Sequence, residues 1–376
     1  MIASVYVVLL SLNNLLATYV FGFYKVTNQS IISLFCFLLV IFVCSTLLNL
    51  FVKKRGISRN PDGKLLEKKS FLDHKKKIII AYYLGVASHI IALFICIHNY
   101  GIRNLKGSSA GAFSHLAMLA AILTPIIVFY IIENKAYIHI IPIVIDVTIL
   151  LFFGGKYNII FLLLHTTFVL AQLYKINAKM VVRGAVALVL LALFMFVCIY
   201  TIKPFIMGEI SAAGIPIKLL KTFRHFFIYL LGPVIAMNYF FSHQMVFIEG
   251  VKIILTVPLN IYIALFGNQS YISPIYPSYF IPIAHDYQTN VGGMYAESTY
   301  NVGLGNALLY IFIVFILIYT VYFFNLYRGR LLLLGSFLLA IVFMSFFCNF
   351  LTVSGIVLRL IWIVLFEIVL WISKKR

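Results

Sequence analysis

The chain has 376 residues, 63% of them hydrophobic and only 10% charged, with a mean hydropathy of +1.07. Soluble domains run near half apolar and a quarter charged, so an ordinary water-soluble enzyme is excluded, and 16% aromatic residues exclude a disordered chain. A net charge of +19 would suit nucleic acid, but the cations lie between apolar blocks, where they set orientation and meet anionic membrane lipids.

At roughly 20 residues per span, the length leaves room for about ten helices and one sizeable loop region. Met1 leads directly into an apolar run without a basic stretch or a small-residue cleavage site. Residues 2–22 therefore read as a retained first span and not as a cleaved signal. Further apolar blocks predict spans at 30–52, 78–98, 113–132, 137–153, 158–174 and 184–202, giving an N-terminal bundle over 1–202. Between the second and third spans, 53–77 carries ten lysines and arginines, which assigns it to the cytoplasm. Alternation from there puts Lys135, Lys175, Lys179, Arg183, Arg328, Arg330, Lys374, Lys375 and Arg376 on the same side, with both termini inside.

Residues 203–302 break this rhythm and read as one large outer loop. It holds two apolar pieces, 225–241 and 245–267, the second interrupted by Glu249, Lys252 and Pro258. Because 218–225 is basic and amphipathic and leads into the first piece, the favoured reading is of interfacial helices; the other is a further membrane hairpin. A polar, aromatic, proline-bearing stretch follows over 267–302, with little helical periodicity. Three last spans, 303–324, 331–349 and 353–373, complete a C-terminal part over 303–376. The fold class is thus an all-α polytopic membrane protein. Its five cysteines (Cys36, Cys44, Cys96, Cys198, Cys348) lie in apolar segments without metal-ligand spacing and read as small core residues.

The sequence has no P-loop, HExxH, paired DxD carboxylates or GxSxG, so a reaction without metal or cofactor, or a non-catalytic role, is expected. Cations on the outer side run against the usual bias. They are Lys156 in the turn GGKY, then Lys203, Lys218, Lys221, Arg224 and His225. Either they hold an anionic lipid-linked phosphate or diphosphate, or those at 218–225 simply anchor an amphipathic helix. Asp146 and His165 are equidistant from the centre of the 154–157 turn, which predicts equal depth and contact in a helix hairpin. That contact would pin the hairpin or, alternatively, relay a proton. Arg359 lies six residues into the last span and either snorkels or faces an outer cavity, while Glu367 reads as structural. Finally, His285, Asp286, Tyr287, Thr289, Asn290, Tyr295, Glu297 and Tyr300 crowd one polar segment, where a histidine or carboxylate is placed to deprotonate a sugar hydroxyl.

The run from Thr289 and Asn290 through Tyr295, Ala296, Glu297, Tyr300, Asn301 and Gly303 to Gly305 resembles the entry to the helix after the large outer loop in Wzy-type O-antigen and capsule repeat-unit polymerases, which are related to O-antigen ligases. Tyr229, Gly232 and Pro233 resemble that family's loop helices. Gly154, Gly155 and Lys156 stand where many members carry Gly-Ser-Arg, with lysine replacing arginine. The resemblance implies a bundle similar to GT-C glycosyltransferases in the bacterial cytoplasmic (inner) membrane. It also implies transfer of a glycan from one undecaprenyl diphosphate to a hydroxyl of another lipid-linked repeat, on the outer face, in O-antigen (lipopolysaccharide) or capsule biosynthesis. No cofactor or metal is implied; a chain-length-regulating co-polymerase is the implied protein partner. The expected assignments are His285 or Glu297 as base, Arg359 at the departing diphosphate, and Lys156, Lys221, Arg224, His225, Asn290, Tyr295 and Tyr300 binding diphosphate and glycan. All are expected around one outward-facing cavity covered by 225–267. An O-antigen ligase and a non-enzymatic lipid-linked oligosaccharide flippase are the alternatives.

Overall fold

The computed structural model describes residues 2–54, 71–105, 108–154, 156–174, 178–243, 246, 248, 252–268, 270, 280–328 and 331–373. Most of the expected cytoplasmic loop, residues 55–70, lies outside them. Among the described residues the chain forms α1 (Ile2–Leu12), α2 (Thr18–Phe21), α3 (Asn28–Lys54), α4 (Lys75–Tyr100), α5 (Ala112–Asn134), α6 (Ile140–Phe152), α7 (Lys156–Leu173), α8 (Ala178–Val197), α9 (Lys203–Ile206), α10 (Ile215–Ser242) and α11 (Ile253–Phe266). A hairpin of β1 (Ile281–Ala284) and β2 (Tyr287–Thr289) follows, then α12 (Gly293–Val302), α13 (Leu304–Arg328), α14 (Leu332–Phe343) and α15 (Ser354–Ser373).

Why these helices belong in a membrane is clearest in α3. Ser30, Leu34, Phe37, Ile41 and Cys44 recur every three to four residues and form its buried face. The opposite face carries Ile32, Phe35, Leu39 and Phe42, all more than half or half exposed yet apolar. A surface helix in water would be polar there; apolar residues on both faces suit lipid. Among the described residues, five helices are long and apolar enough to cross a membrane: α3, α4, α5, the stretch Ala212–Ser242 around α10, and the stretch Leu304–Asn325 of α13. This is the composition of a multi-pass membrane protein. Of these five, the 212–242 stretch is the one the sequence did not count as a span. The basic turn at 218–225 and the apolar piece 225–241 are one continuous 28-residue helix, with Pro233 inside it. No glycine-rich or polar break separates the two, so helical propagation continues through the change in composition.

The chain divides into two compact units, one built from 1–59, 227–327 and 341–358, the other from 60–226, 328–340 and 359–376. In the first unit the β1–β2 hairpin is extended at its edge by Phe23, which bridges to Ala284, and by the Tyr24 N–H, which donates to Ile283 O at 2.9 Å. Asn238 on α10 clamps the same loop, its amide donating to Lys25 O and its carbonyl oxygen accepting from Thr27 N–H, both at 2.9 Å. Beneath this lies α12, whose ten residues are all buried. The stretch read from sequence as irregular thus holds a hairpin and its own helix. Its N-terminus depends on Gly293, whose φ is +78° and whose N–H donates to Phe347 O at 3.1 Å. A Cβ there would sit 2.8 Å from Phe346 O. Gly293→Ala is expected to cost about 1–3 kcal/mol, combining left-handed strain with that clash. A lowered thermal midpoint of the purified protein checks it; an unchanged midpoint would contradict it.

In the second unit α5 is the central helix, with eleven buried residues. It packs closely on α4, where a Cβ on Gly85 would lie 2.5 Å from Ala120 N. Small residues at a crossing let helix backbones approach, the usual device for helix association in lipid. At the start of α14, Glu367 Oε1 accepts from the Leu333 and Leu334 N–H groups at 2.8 and 3.2 Å, satisfying helix-start donors from a neighbouring helix. Cys44, Cys96 and Cys348 are buried as expected of small core residues, whereas Cys36 is exposed on α3.

Candidate functional site

The expected site residues divide between the two units, and each group is described by itself. In the first unit, the β1–β2 turn presents His285 and Asp286, with side chains 98% and 77% exposed and His285 Nδ1 2.8 Å from Asp286 Oδ1. That hydrogen bond, with the neighbouring carboxylate charge, raises the His285 imidazole above its ordinary range. Asn290 follows β2 and is half-buried. Tyr295, Glu297 and Tyr300 lie on α12 and are fully buried. The two residues expected to act as base therefore occupy opposite environments.

Glu297 is placed by the polar composition of α12 and by the loop before α15, where Asn349 lies between two short 3-10 turns, Met344–Phe346 and Phe350–Thr352. Its Oε1 accepts from Gly292 N–H at 2.9 Å and its Oε2 from Asn349 N–H at 2.8 Å. Burial pushes the carboxyl up to about 7, against the pull of the Asn349 and Gly292 N–H groups. The network continues through Asn349, whose amide donates to Ser298 Oγ at 3.2 Å and whose Oδ1 accepts from Tyr310 at 3.3 Å. Tyr295 OH lies 3.3 Å from Ser345 Oγ, and its ring packs on Phe37 and Tyr6. With both oxygens occupied by backbone donors, Glu297 ties the start of α12 to residue 349; that is a positioning role. Asn349 and Ser345 escaped the sequence reading, although each is a polar residue in an otherwise apolar block.

The second unit holds the expected cations. Lys156 opens α7 just after Gly154, whose φ of +69° ends α6 in a tight turn; the Lys156 side chain lies outside the described residues. Arg359 is 7% exposed and its Nη2 donates to Asn158 Oδ1 at 2.9 Å, which brings it to the first turn of the helix that Lys156 opens. Lys203 also reaches this hairpin, its Nζ donating to Phe152 O at 3.0 Å, a cation on a helix C-terminus. Lys221 and Arg224 are exposed on α10, and His225 is half-buried edge-on against Tyr200 at 4.5 Å between ring centroids.

Comparison with protein-family models, with curated proteins and with solved structures returns no match for this chain. The functional reading rests on its residues.

One expected contact is replaced by another. Asp146 does not meet His165: its Oδ1 lies 2.6 Å from His89 Nδ1 on α4, while His165 Nε2 lies 3.0 Å from Leu333 O. Equal distance from a turn fixes depth but not rotation about each helix axis, and Asp146 is turned towards α4. His89 was legible as an ionisable residue inside the expected span 78–98. Its ring also stacks on Phe153, with an interplanar angle of 3°. Among the described residues no group of three or more histidine, cysteine or carboxylate side chains is placed to hold a metal ion.

Proposed function

We propose that this protein joins undecaprenyl-diphosphate-linked oligosaccharide repeats into O-antigen or capsular polysaccharide, as a metal-independent glycosyltransferase on the outer face of the bacterial cytoplasmic membrane. The observation that carries the reading is the placement of Arg359, a buried guanidinium held on Asn158 at the first turn of the helix that Lys156 opens. A helix start with unsatisfied N–H groups, next to a planar five-donor cation, suits a phosphate or diphosphate. A buried cation within an apolar bundle is otherwise costly, and such residues mark function by default.

The chemistry fits these groups. A lipid diphosphate is already a good leaving group, so the protein has to neutralise developing charge, align the acceptor and take a proton from its hydroxyl. Arg359 and Lys156 take the first task, and the exposed His285, poised on Asp286, is the residue proposed for the last. Lys221, Arg224 and His225 are proposed to meet the glycan or anionic lipid headgroups. Incubating the purified protein with a lipid-diphosphate-linked repeat tests this. A ladder of products supports polymerisation, and a single transfer to a lipid A core makes the protein a ligase. Asn158→Ala should slow ladder formation about tenfold or more, since a hydrogen bond to a charged group is worth roughly 1.5–3 kcal/mol. A wild-type rate in that variant would remove Asn158 from the site.

A flippase reading draws on one specific observation, the buried pair of Asp146 and His89, the latter in the middle of a candidate span. Translocation of the labelled lipid without any joined product would favour it.

A further inference from the structure

The second unit contains an ionisable pair that diphosphate chemistry does not require. His89 and Asp146 are 8% and 2% exposed and share a 2.6 Å hydrogen bond, and Asp146 Oδ2 has no hydrogen-bond partner among the described residues. His89 sits near the middle of α4, a candidate membrane span, and Asp146 meets it from the shorter apolar helix α6, where a buried carboxylate without full satisfaction is costly unless it is used. The pair is also joined to Arg359 through one short turn. His89 stacks on Phe153 at one end of that turn, and Arg359 is bonded to Asn158 at the other.

We propose that His89 and Asp146 form a proton-binding site inside the helix bundle, and that a proton taken up by His89 frees the charge of Arg359 for an anionic ligand. This rests on the reading of Arg359 as the diphosphate-binding cation. With His89 neutral, the Asp146 carboxylate is the counter-charge of Arg359, and the cluster carries no net charge. Asp146 lies on α6 and Asn158, the partner of Arg359, on α7, the two helices that this turn joins, so carboxylate and guanidinium belong to one cluster. When His89 gains a proton from solvent, the histidinium compensates Asp146 and leaves one positive charge at Arg359. A buried excess charge favours an anion beside it, so anion binding and proton uptake strengthen each other by the same factor.

The other titratable groups around the cluster do not supply this switch. His165 is engaged by Leu333 O, and Lys203 holds Phe152 O. Tyr157 is exposed on the first turn of α7, and the turn of α5 that comes level with His89 in the Gly85–Ala120 register carries the half-buried His115.

The test uses the full chain in lipid nanodiscs and farnesyl diphosphate as the probe, titrated calorimetrically between pH 5.5 and 8.5. Wild type should bind more tightly as pH falls, beyond the probe's own titration. Two buffers of different ionisation enthalpy should report uptake of up to one proton, a readout that needs no variant. His89→Gln should bind weakly and Asp146→Asn tightly, both without the extra pH dependence, the two differing by about 5- to 150-fold. Loss of folding would move both variants the same way, so opposite shifts identify the switch. No extra proton uptake in wild type, or equal slopes in all three proteins, overturns the proposal while leaving the diphosphate site standing. If Arg359→Gln binds the probe as wild type does, or wild type does not bind it, the diphosphate reading falls, and this inference falls with it.

Discussion

Replacing Arg359 by alanine is expected to slow repeat joining a hundred- to thousandfold, while the protein stays folded. A preorganised donor aimed at developing charge contributes about 2.7–4 kcal/mol to lowering the barrier, and Arg359, proposed for that role, is held by burial and by Asn158. Lys156→Ala should cost a similar amount if its ammonium completes the same anion site at the start of α7. An anchoring residue such as Lys221, exposed on α10, should cost far less, and its loss should be rescued by anionic lipid. Rates of product-ladder formation in the three variants separate these roles. Near wild-type rates in both Arg359→Ala and Lys156→Ala would remove the diphosphate assignment. A large effect at Arg359 alone would confine the site to α15 and Asn158, with Lys156 belonging to the turn.

The second large effect concerns Glu297. Glu297→Ala would leave the buried N–H groups of Gly292 and Asn349 without acceptors, at about 1–3 kcal/mol each and so about 2–6 kcal/mol together. Its pH dependence has a definite sign. Burial raises the carboxyl from 4.5 to about 7, so the fold favours the protonated group. The stabilisation from this source is complete below about pH 4.5 and disappears as pH rises through about 7, a change of about 3 kcal/mol. Thermal midpoints of wild type and Glu297→Gln, followed from pH 4 to 8, should converge towards neutral pH. A constant difference across that range would show that the Glu297 proton plays no part. A Glu297 that acted as the base would instead abolish joining in Glu297→Gln without shifting the midpoint.

The helical membrane architecture was legible because lipid imposes one requirement on every span, an unbroken apolar run. The segments read at 30–52, 78–98 and 113–132 stand as α3, α4 and α5, each extended by only one to three residues at its ends. Hydropathy was less informative where composition changes within one helix. Basic 218–225 and apolar 225–241 look like two pieces, but backbone hydrogen bonding runs through both in α10. Within the 267–302 stretch, residues 293–302 lack periodicity because α12 is buried on every side and has no exposed face to generate a pattern.

At the site, residue types were legible and partners were not. Arg359 stood out as a cation in an apolar run, but nothing in the spacing pointed to Asn158, two hundred residues away. Asp146 stood out equally, yet rotation of α6 gave it to His89. Glu297 was marked by its polar neighbours; that both of its oxygens would meet backbone N–H groups depended on Asn349, brought back by the turn before α15.

The central claim is that glycan transfer and departure of the lipid diphosphate occur together on this protein. The most direct measurement counts undecaprenyl diphosphate released per repeat joined, with purified protein, a radiolabelled lipid-linked repeat and a metal chelator present. One diphosphate lipid per new glycosidic bond, with release lost in Arg359→Ala, is the predicted result. Repeats moved across the bilayer with no diphosphate lipid released would contradict it.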